Sequence, residues 1–358
     1  MLQDFDFAIA GGGPAGSTAG MCLARSGWRV AIFEAGSFDR EKPGETLPPE
    51  INPLLRELGV WESFQAQSPV ECPGVVSAWG GRVDEVDYTY DPFGPGWHID
   101  RRRFDEMLFN SASRAGASTY PRQRVNFVRE NGGWRVERSA KPPVFARFVI
   151  DATGRNGIRI ESNPVRIVDD VLLATILRTS ISAAGKRDLR TLIEAAPSGW
   201  WYSACLPAGQ IVAMFFTGRE TFRREEDFIP GQLEHAPLTR ARLQGAVAIG
   251  ARAEVVSVSS SYREQIAGDG WLATGDSASS FDPLSGRGIF KAIRQSIAAA
   301  KAAEAALGGD AAALDDYAVT VQNEFDAYRT QRAIFYGAHA LRVSHPFWKA
   351  RAAVPMKV

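Results

Sequence analysis

The sequence predicts an α/β (α+β) protein: a Rossmann-like nucleotide-binding domain, an inserted β-sheet domain and C-terminal helices. Three observations carry this. A glycine-rich turn, Gly11-Gly12-Gly13-Pro14-Ala15-Gly16, separates an apolar run from an alanine-rich stretch. The middle of the chain is dense in β-branched and aromatic residues. From Ile289 the composition turns alanine-rich and helical in spacing.

Phe5 to Ala10 is a short apolar strand stopped by Gly11, Gly12 and Gly13, and Gly16 to Ser26 reads as a helix. Trp28 to Phe33 returns as a strand ending in Glu34. Together they make a β-α-β unit of about 30 residues, the context that gives a G-x-G-x-x-G pattern its meaning. Pro48 to Gln67 is expected as one amphipathic helix, because Ile51, Leu54, Leu55, Leu58 and Val60 recur at helical spacing after a Pro-Pro start. Alternation over Val75 to Tyr90 predicts strands, and Ile99 to Ala115 a helix with Phe104, Met107 and Leu108 on one face. Val125 to Arg138 and Val144 to Asp151 form a meander running into Asp151-Ala-Thr-Gly154. Between Val165 and Ser261, the runs Val171 to Arg178, Trp200 to Leu206, Ile211 to Thr217 and Ala253 to Ser260 predict a separate sheet layer. Trp271 to Thr274 is one more strand, Gly275-Asp276 opens the next turn, and Ile289 to Leu307 is helix up to the Gly308-Gly309 break. The expected division is a discontinuous nucleotide domain (1–75, 98–160 and 262–320), a sheet domain (76–97 and 161–261) and a helical segment (321–358).

With 358 residues and 45% apolar content the chain can fill a two-domain core. Its 41 Lys and Arg balance 41 Asp and Glu, so no net field favours a polyanion and nucleic acid is not an expected partner. Cys22, Cys72 and Cys205 lie far apart, with no C-x-x-C pair and no His-x-x-x-His companion among His98, His235, His339 and His345. Neither a disulfide scaffold nor a metal site is expected. No stretch reaches the roughly 18 uncharged apolar residues that span a bilayer, so no transmembrane segment is expected. The opening residues carry no basic leader, which predicts a cytoplasmic location. His345 to Val358, with Phe347, Trp348, Lys349 and Arg351, reads as a docking helix or loose tail, with membrane contact as the alternative.

Gly11-x-Gly13-x-x-Gly16, with Pro14 and Ala15 between, supplies a tight turn and close backbone approach, so that a pyrophosphate can sit on a positive helix N-terminus. Glu34 follows Gly16 by 18 positions, at the end of the second strand, where an acid suits the ribose hydroxyls of an adenosine. The segment Gly275-Asp276-Ser-Ala-Ser-Ser-Phe-Asp-Pro283-Leu-Ser-Gly286-Arg-Gly288-Ile289 places a carboxylate after a strand, then a glycine-rich turn, then a helix. That provides a second helix N-terminus for the pyrimidine edge of a flavin and a carboxylate for its ribityl or phosphate end, which predicts FAD over NAD. Capping of the following helix is the alternative role for Asp276.

GGGPAG, IDRRRFDEML, DATG and GDSASSFDPLSGRG, in this order, resemble the aromatic-hydroxylase fold of single-component flavoprotein monooxygenases and flavin-dependent halogenases, over nearly the whole chain. The resemblance implies that Arg101 lies near the ribityl chain and that Asp276 contacts FAD. A narrower likeness is carried by Pro43-Gly-Glu-Thr-Leu-Pro-Pro49, Ser77-Ala-Trp-Gly80, Pro92-Phe-Gly-Pro-Gly-Trp-His98 and Gly199-Trp-Trp-Tyr-Ser-Ala-Cys-Leu-Pro207. These are similar to the flavoprotein maturases of the lysine oxidase, glycine oxidase and quinohemoprotein amine dehydrogenase systems, which hydroxylate a tryptophan within a partner polypeptide on the way to a tryptophylquinone. Halogenases carry a lysine after the G-E-[ST] loop, a Trp-x-Trp-x-Ile-Pro motif and an acid after Pro-Leu. Here no lysine occurs between Lys42 and Lys141, the second motif is altered, and Ser285 replaces the acid, which disfavours halogenation.

What the resemblance implies is an FAD-dependent monooxygenase acting through a flavin C4a-hydroperoxide, with dioxygen as co-substrate and NAD(P)H or a separate reductase as electron source. Its substrate is expected to be a quinoprotein precursor polypeptide. The alternatives are a small aromatic substrate, hydroxylated or halogenated, and a non-catalytic flavin-stabilised binding protein. Such chemistry needs dryness around the reacting ring, for which Trp79, Trp97, Trp200, Trp201 and Tyr202 are candidate walls. Glu45, in the Pro-Gly-Glu-Thr loop, is the candidate for flavin-side proton handling, His98 a candidate base, and Thr46 a candidate cofactor contact beside Pro283, Gly286, Gly288 and Ile289.

Overall fold

The computed structural model describes residues 4–352 apart from 131, 159, 161–165, 181–187, 224–227 and 249–252. An eight-stranded sheet organises the N-terminal region. Phe5–Ala10 pairs in parallel with Val30–Glu34 on one side and with Lys141–Asp151 on the other. Ser118–Pro121 and Trp271–Ala273 extend the parallel core outward, and Val125–Glu130 with Gly133–Arg138 form the meander expected before Asp151. Central strands buried on both faces are near-continuous apolar runs, as Phe-Asp-Phe-Ala-Ile-Ala and Val-Ala-Ile-Phe-Glu are.

Helix α1 (Pro14–Arg25) packs between α4 (Arg101–Arg114) and α7 (Gly288–Leu307). Each begins where local chemistry dictates. Pro14 opens α1, and Asp100 caps α4 by accepting from the amide of Arg102 at 2.9 Å. The single helix expected over Pro48 to Gln67 is instead two, α2 (Ile51–Glu57) and α3 (Trp61–Gln65). Gly59 at φ +59° ends the first, its amide bonded to Arg56 O, and apolar periodicity alone does not register that left-handed stop.

A second eight-stranded sheet runs in the order Val247–Ala248, Leu172–Ser180, Gln210–Gly218, Gly199–Leu206, Thr191–Ala196, Gly74–Trp79 and Arg82–Asp87, with Glu254–Ser257 also on Leu172–Ser180. The N-terminal third supplies its last hairpin, turned by Gly80 and Gly81, both at positive φ. Alternation along Gly199–Leu206 sends neighbouring side chains to opposite faces. Trp200 joins Trp79, Phe216, Tyr336, Phe347 and Trp348 beneath α8 (Ala312–Ala340) and α9 (Pro346–Ala352). Trp201 joins Phe215 and Ala236 beneath α5 (Phe228–Glu234) and α6 (Pro237–Arg242), where the buried Glu194 accepts from the Leu238 and Thr239 amides. Within the tail, Phe347 and Trp348 are fully buried, so their aromatic surface is unavailable to a membrane; 353–358 lie outside the described residues. No helix among the described residues is long and apolar enough to cross a bilayer.

Candidate active site

At the end of Phe5–Ala10 the chain needs glycine for two separate reasons. A Cβ on Gly11 would lie 2.3 Å from Ala152 O, and one on Gly16 would lie 1.8 Å from Gly11 O, so both permit close backbone approach. At Gly13 a Cβ would meet nothing within 4 Å. Gly13 is the N-cap of α1, extended and without a side-chain cap, so the amides of the first turn face open space. Ala15 is buried at that turn. Glu34 folds back beside it, its carboxylate accepting from the amides of Gly12 and Gly36, each at 2.7 Å.

The second glycine-rich turn arrives at the same place. Gly275, at φ +65°, would bring a Cβ to 2.8 Å from the Ala15 Cβ, which joins the two motifs. Asp282 caps the Pro283–Ser285 turn through Leu284 N at 2.8 Å, and Gly286 then takes the left-handed conformation at φ +61°. Helix α7 starts at Gly288 with no side-chain cap, and a Cβ on Gly286 or Gly288 would meet nothing within 4 Å. Ile289 is buried under this turn. Asp276 does not cap α7; Lys291 Nζ lies 3.0 Å and Arg155 Nε 3.5 Å from its carboxylate. Burial pushes the Asp276 carboxyl up, but Lys291 and Arg155 outweigh it and hold the group below the usual range. Lys291 is itself buried, which lowers its ammonium pKa against the pull of Asp276, and its Nζ sits 4.3 Å over the Phe281 ring. Asp151, in Asp-Ala-Thr-Gly, points inward to Thr153, Ile158 and Arg263 and shapes the neighbouring turn.

A third segment, Pro43 to Leu47, closes one side. Arg101 Nη1 donates to Pro43 O at 2.7 Å while its guanidinium pairs with Asp105 at 3.2 Å, so Arg101 clamps this loop to α4. Arg287 meets Glu50 at 2.6 Å and links the loop's far side to the α7 turn. Glu45 is buried; its carboxylate accepts from Gly44 N at 2.9 Å and lies 3.4 Å from Arg178. Burial raises the Glu45 pKa, and the Arg178 guanidinium only partly offsets it.

Several expected roles change on contact with the packing. His98 is fully buried, with Nε2 2.9 Å from Leu189 O and Nδ1 3.1 Å from Thr46 Oγ1. A carbonyl only accepts, so Nε2 carries a proton and donates to Leu189 O. Thr46 Oγ1 also lies 2.6 Å from Tyr202 OH. His98 is therefore an anchor of the loop, not a free base, and the Thr46 hydroxyl faces the sheet. Trp97 donates to Asn52 at 2.7 Å and packs edge-on against Phe64 in the nucleotide-domain core. Trp79 donates to Phe335 O beneath the C-terminal helices, and Trp201 faces α5 and α6. These three tryptophans are packed into hydrophobic cores. Tyr202 reaches the Pro43–Leu47 segment through its hydroxyl, at 2.6 Å from Thr46 Oγ1, whereas Trp97 meets it through strand pairing with Leu47.

A crevice of about 120 Å³ opens beside Glu45, bordered by Glu41, Lys42, Arg101, Arg178 and Gln210. A larger cavity of about 470 Å³ lies by Gly268–Gly270, before the strand whose far end leads to Asp276. Lys291 and Arg155 went unnoticed in the sequence, although a lone lysine inside Gly-Ile-Phe-Lys-Ala-Ile was a signal that it is buried with a partner. Arg178, within a strand run, gave no such signal.

Open glycines at Gly13, Gly286 and Gly288, two uncapped helix starts and acids at Glu34 and Asp276 fit a dinucleotide laid between the two turns. Fold and cradle together define a flavoprotein oxidoreductase. A family model described as the FAD binding domain matches residues 4–323, and the chain belongs to that family. Tryptophan 2-halogenase of Chondromyces crocatus is 25% identical, over 96% of this chain and 70% of that protein. LodB of Marinomonas mediterranea, named as an FAD-dependent oxidoreductase, is 24% identical over 98% of both chains. Among solved structures, the flavin-dependent halogenase CmlS superposes with a TM-score of 0.89 at 24% identity, covering 100% of this chain and 69% of that one. QhpG, a peptidyl tryptophan dihydroxylase essential for tryptophylquinone cofactor biogenesis, gives 0.79 at 22%, covering 100% and 80%. The expected fold and resemblance are borne out: this is an FAD-binding oxidoreductase that is similar to flavin-dependent halogenases and shares their fold.

Proposed function

We propose that the chain hydroxylates a tryptophan in a partner polypeptide during tryptophylquinone maturation. The observation that carries this is the crevice at Glu45. A site for a free aromatic metabolite is normally an enclosed, mostly apolar pocket of about 300–1,000 Å³. The crevice is about 120 Å³ with a charged border, and Trp79, Trp97 and Trp201 are spent in cores. Such a mouth suits a ring presented by a polypeptide that brings its own contacts. Similarity to LodB along the full length, the shared fold with QhpG, and the missing lysine between Lys42 and Lys141 support the same reading.

In this reading residues 1–75, 98–160 and 262–320 hold FAD. Gly11, Gly13, Pro14, Ala15, Gly16 and Glu34 take the adenosine and pyrophosphate side, and Asp276, Pro283, Gly286, Gly288 and Ile289 the flavin side. Arg101 holds the Pro43–Leu47 loop against that end. FAD supplies electron transfer to dioxygen, with NAD(P)H or a separate reductase as donor. Glu45, whose pKa is raised by burial, is placed to hold or pass a proton beside the reacting ring, and Arg178 orients it. Tyr202, Thr46 and His98 fix the loop's position. Residues 76–97 and 161–261 are the substrate domain of this reading, which borders the crevice through Arg178 and Gln210.

A second reading, halogenation of a small aromatic, is favoured by the named activities of the relatives, several of them halogenases. One experiment separates the two. The FAD-loaded protein, a reductant and bromide are incubated with an unmatured precursor polypeptide or with free tryptophan. Oxygen in the polypeptide supports the proposal; bromine in the free amino acid overturns it.

A further inference from the structure

Asp282 is fully buried, and each of its carboxylate oxygens has one partner. Oδ1 accepts from Leu284 N at 2.8 Å and so caps the Pro283–Ser285 turn that presents Gly286 and Gly288. Oδ2 accepts from Tyr336 OH at 2.8 Å. Tyr336 stands on α8, beyond the residues the family model matches, and is itself fully buried. Its oxygen also receives Trp200 Nε1 at 3.0 Å from the large sheet. An indole N–H only donates, so the Tyr336 oxygen accepts from Trp200 and its own proton is directed at Asp282 Oδ2. Nearby, Tyr328 OH on the same helix accepts from Asp282 N at 2.8 Å, and its ring stacks on Phe281 at 4.2 Å. The turn that cradles the cofactor is thus held from outside the nucleotide domain, by a helix that also grips the sheet.

We infer that Tyr336 is a positioning residue: pinned by Trp200, its hydroxyl fixes the Asp282 carboxylate and so sets the geometry of the Pro283–Gly288 turn around FAD. This concerns the cofactor site and stands whether or not a partner tryptophan is the substrate. A buried hydrogen bond resists loss, because removing the donor leaves an enclosed Asp282 oxygen without its partner. The consequence is read at the flavin, not only in stability.

The test uses the full chain reconstituted with FAD. Tyr336→Phe keeps the ring and removes the hydroxyl. Its FAD dissociation constant is expected to rise about tenfold, with an altered visible absorption and circular dichroism band of the bound flavin. Tyr317→Phe is the comparison; it removes another buried hydroxyl of α8, one bonded to Ala273 O at 2.9 Å, and is expected to lower the melting temperature while leaving the flavin band unchanged. Trp200→Phe, which retains a ring against Phe216, is expected to move the flavin readouts in the same direction by a smaller factor. A Tyr336→Phe protein of lowered melting temperature but unchanged FAD affinity and spectrum overturns the inference. So does a Tyr317→Phe protein that moves the flavin band equally.

Discussion

Replacing Gly13 by alanine tests whether the glycine serves the fold or the ligand. The residue is extended, at φ −74° and ψ −169°, and an added Cβ meets no atom of the protein within 4 Å. Alanine is a poorer N-cap than glycine, at a cost of about 0.5–1 kcal/mol. Narrowing of the unfolded ensemble returns about 0.4–1 kcal/mol, so the two terms nearly cancel and the melting temperature of the apoprotein should hold. FAD meets the new methyl where phosphate approaches the first turn of α1. Loss of even one charge-assisted hydrogen bond, about 1.5–3 kcal/mol, weakens binding tenfold or more. Gly16→Ala is the counterpart. Its Cβ would stand 1.8 Å from Gly11 O and 3.1 Å from Ala152 Cβ, both fixed by the parallel sheet, so destabilisation should reach the upper end of about 1–3 kcal/mol. Thermal melts of the apoproteins and FAD titrations followed by flavin fluorescence read both quantities. Gly13→Ala binding FAD like the parent, or melting as low as Gly16→Ala, would refute the placement of the pyrophosphate.

Other expectations follow from the same geometry. Glu45→Gln should retain FAD yet lose oxygen insertion, measured as product against reductant consumed. Because burial raises the Glu45 pKa, its stabilising contribution is full below the ordinary carboxylate range and lost as pH rises through the raised value; melting curves against pH should show a decline with rising pH over that window in the parent that Glu45→Gln lacks. Lys291→Met leaves Asp276 with Arg155 alone at 3.5 Å. Since breaking a buried pair from one side costs about 3–5 kcal/mol and the Asp276 side chain keeps 28% exposure, denaturant melts should show a loss near the lower end, largely recovered in Asp276→Asn/Lys291→Met. Trp201→Ala should cost about 3–5 kcal/mol in the same assay but leave the position of oxygen insertion unchanged, because the side chain faces α5 and α6.

Much of the fold was legible because its signals are local. Phe5 to Glu34 declares a strand, a turn and a helix through apolar period and glycine alone, whereas the cap at Asp100, which starts α4 two residues after the expected Ile99, was not read. The split of Pro48 to Gln67 hung on one backbone dihedral at Gly59, which a residue type permits but does not demand. Thr191–Ala196 was missed because its parallel partner, Val75 onward, lies more than a hundred residues earlier. The two glycine-rich turns were legible for a similar reason: each is a contiguous motif. The aromatic wall was not. Trp200 and Trp201 are adjacent and chemically alike, and only the phase of the strand decides that one meets Tyr336 and the other Ala236. His98 was read as a base because an imidazole invites it, whereas its two partners, Leu189 O and Thr46, converge only in three dimensions.

The account rests most heavily on a tryptophan of a partner polypeptide as the group that gains oxygen. Mass spectrometry of unmatured quinoprotein precursors, incubated with the FAD-loaded protein and a reductant under isotopically heavy dioxygen, tests this directly. The expected result is one or two labelled oxygen atoms on a single tryptophan of the precursor, lost in the Glu45→Gln protein. An unchanged precursor, alongside label or halogen in a free aromatic compound, would contradict it.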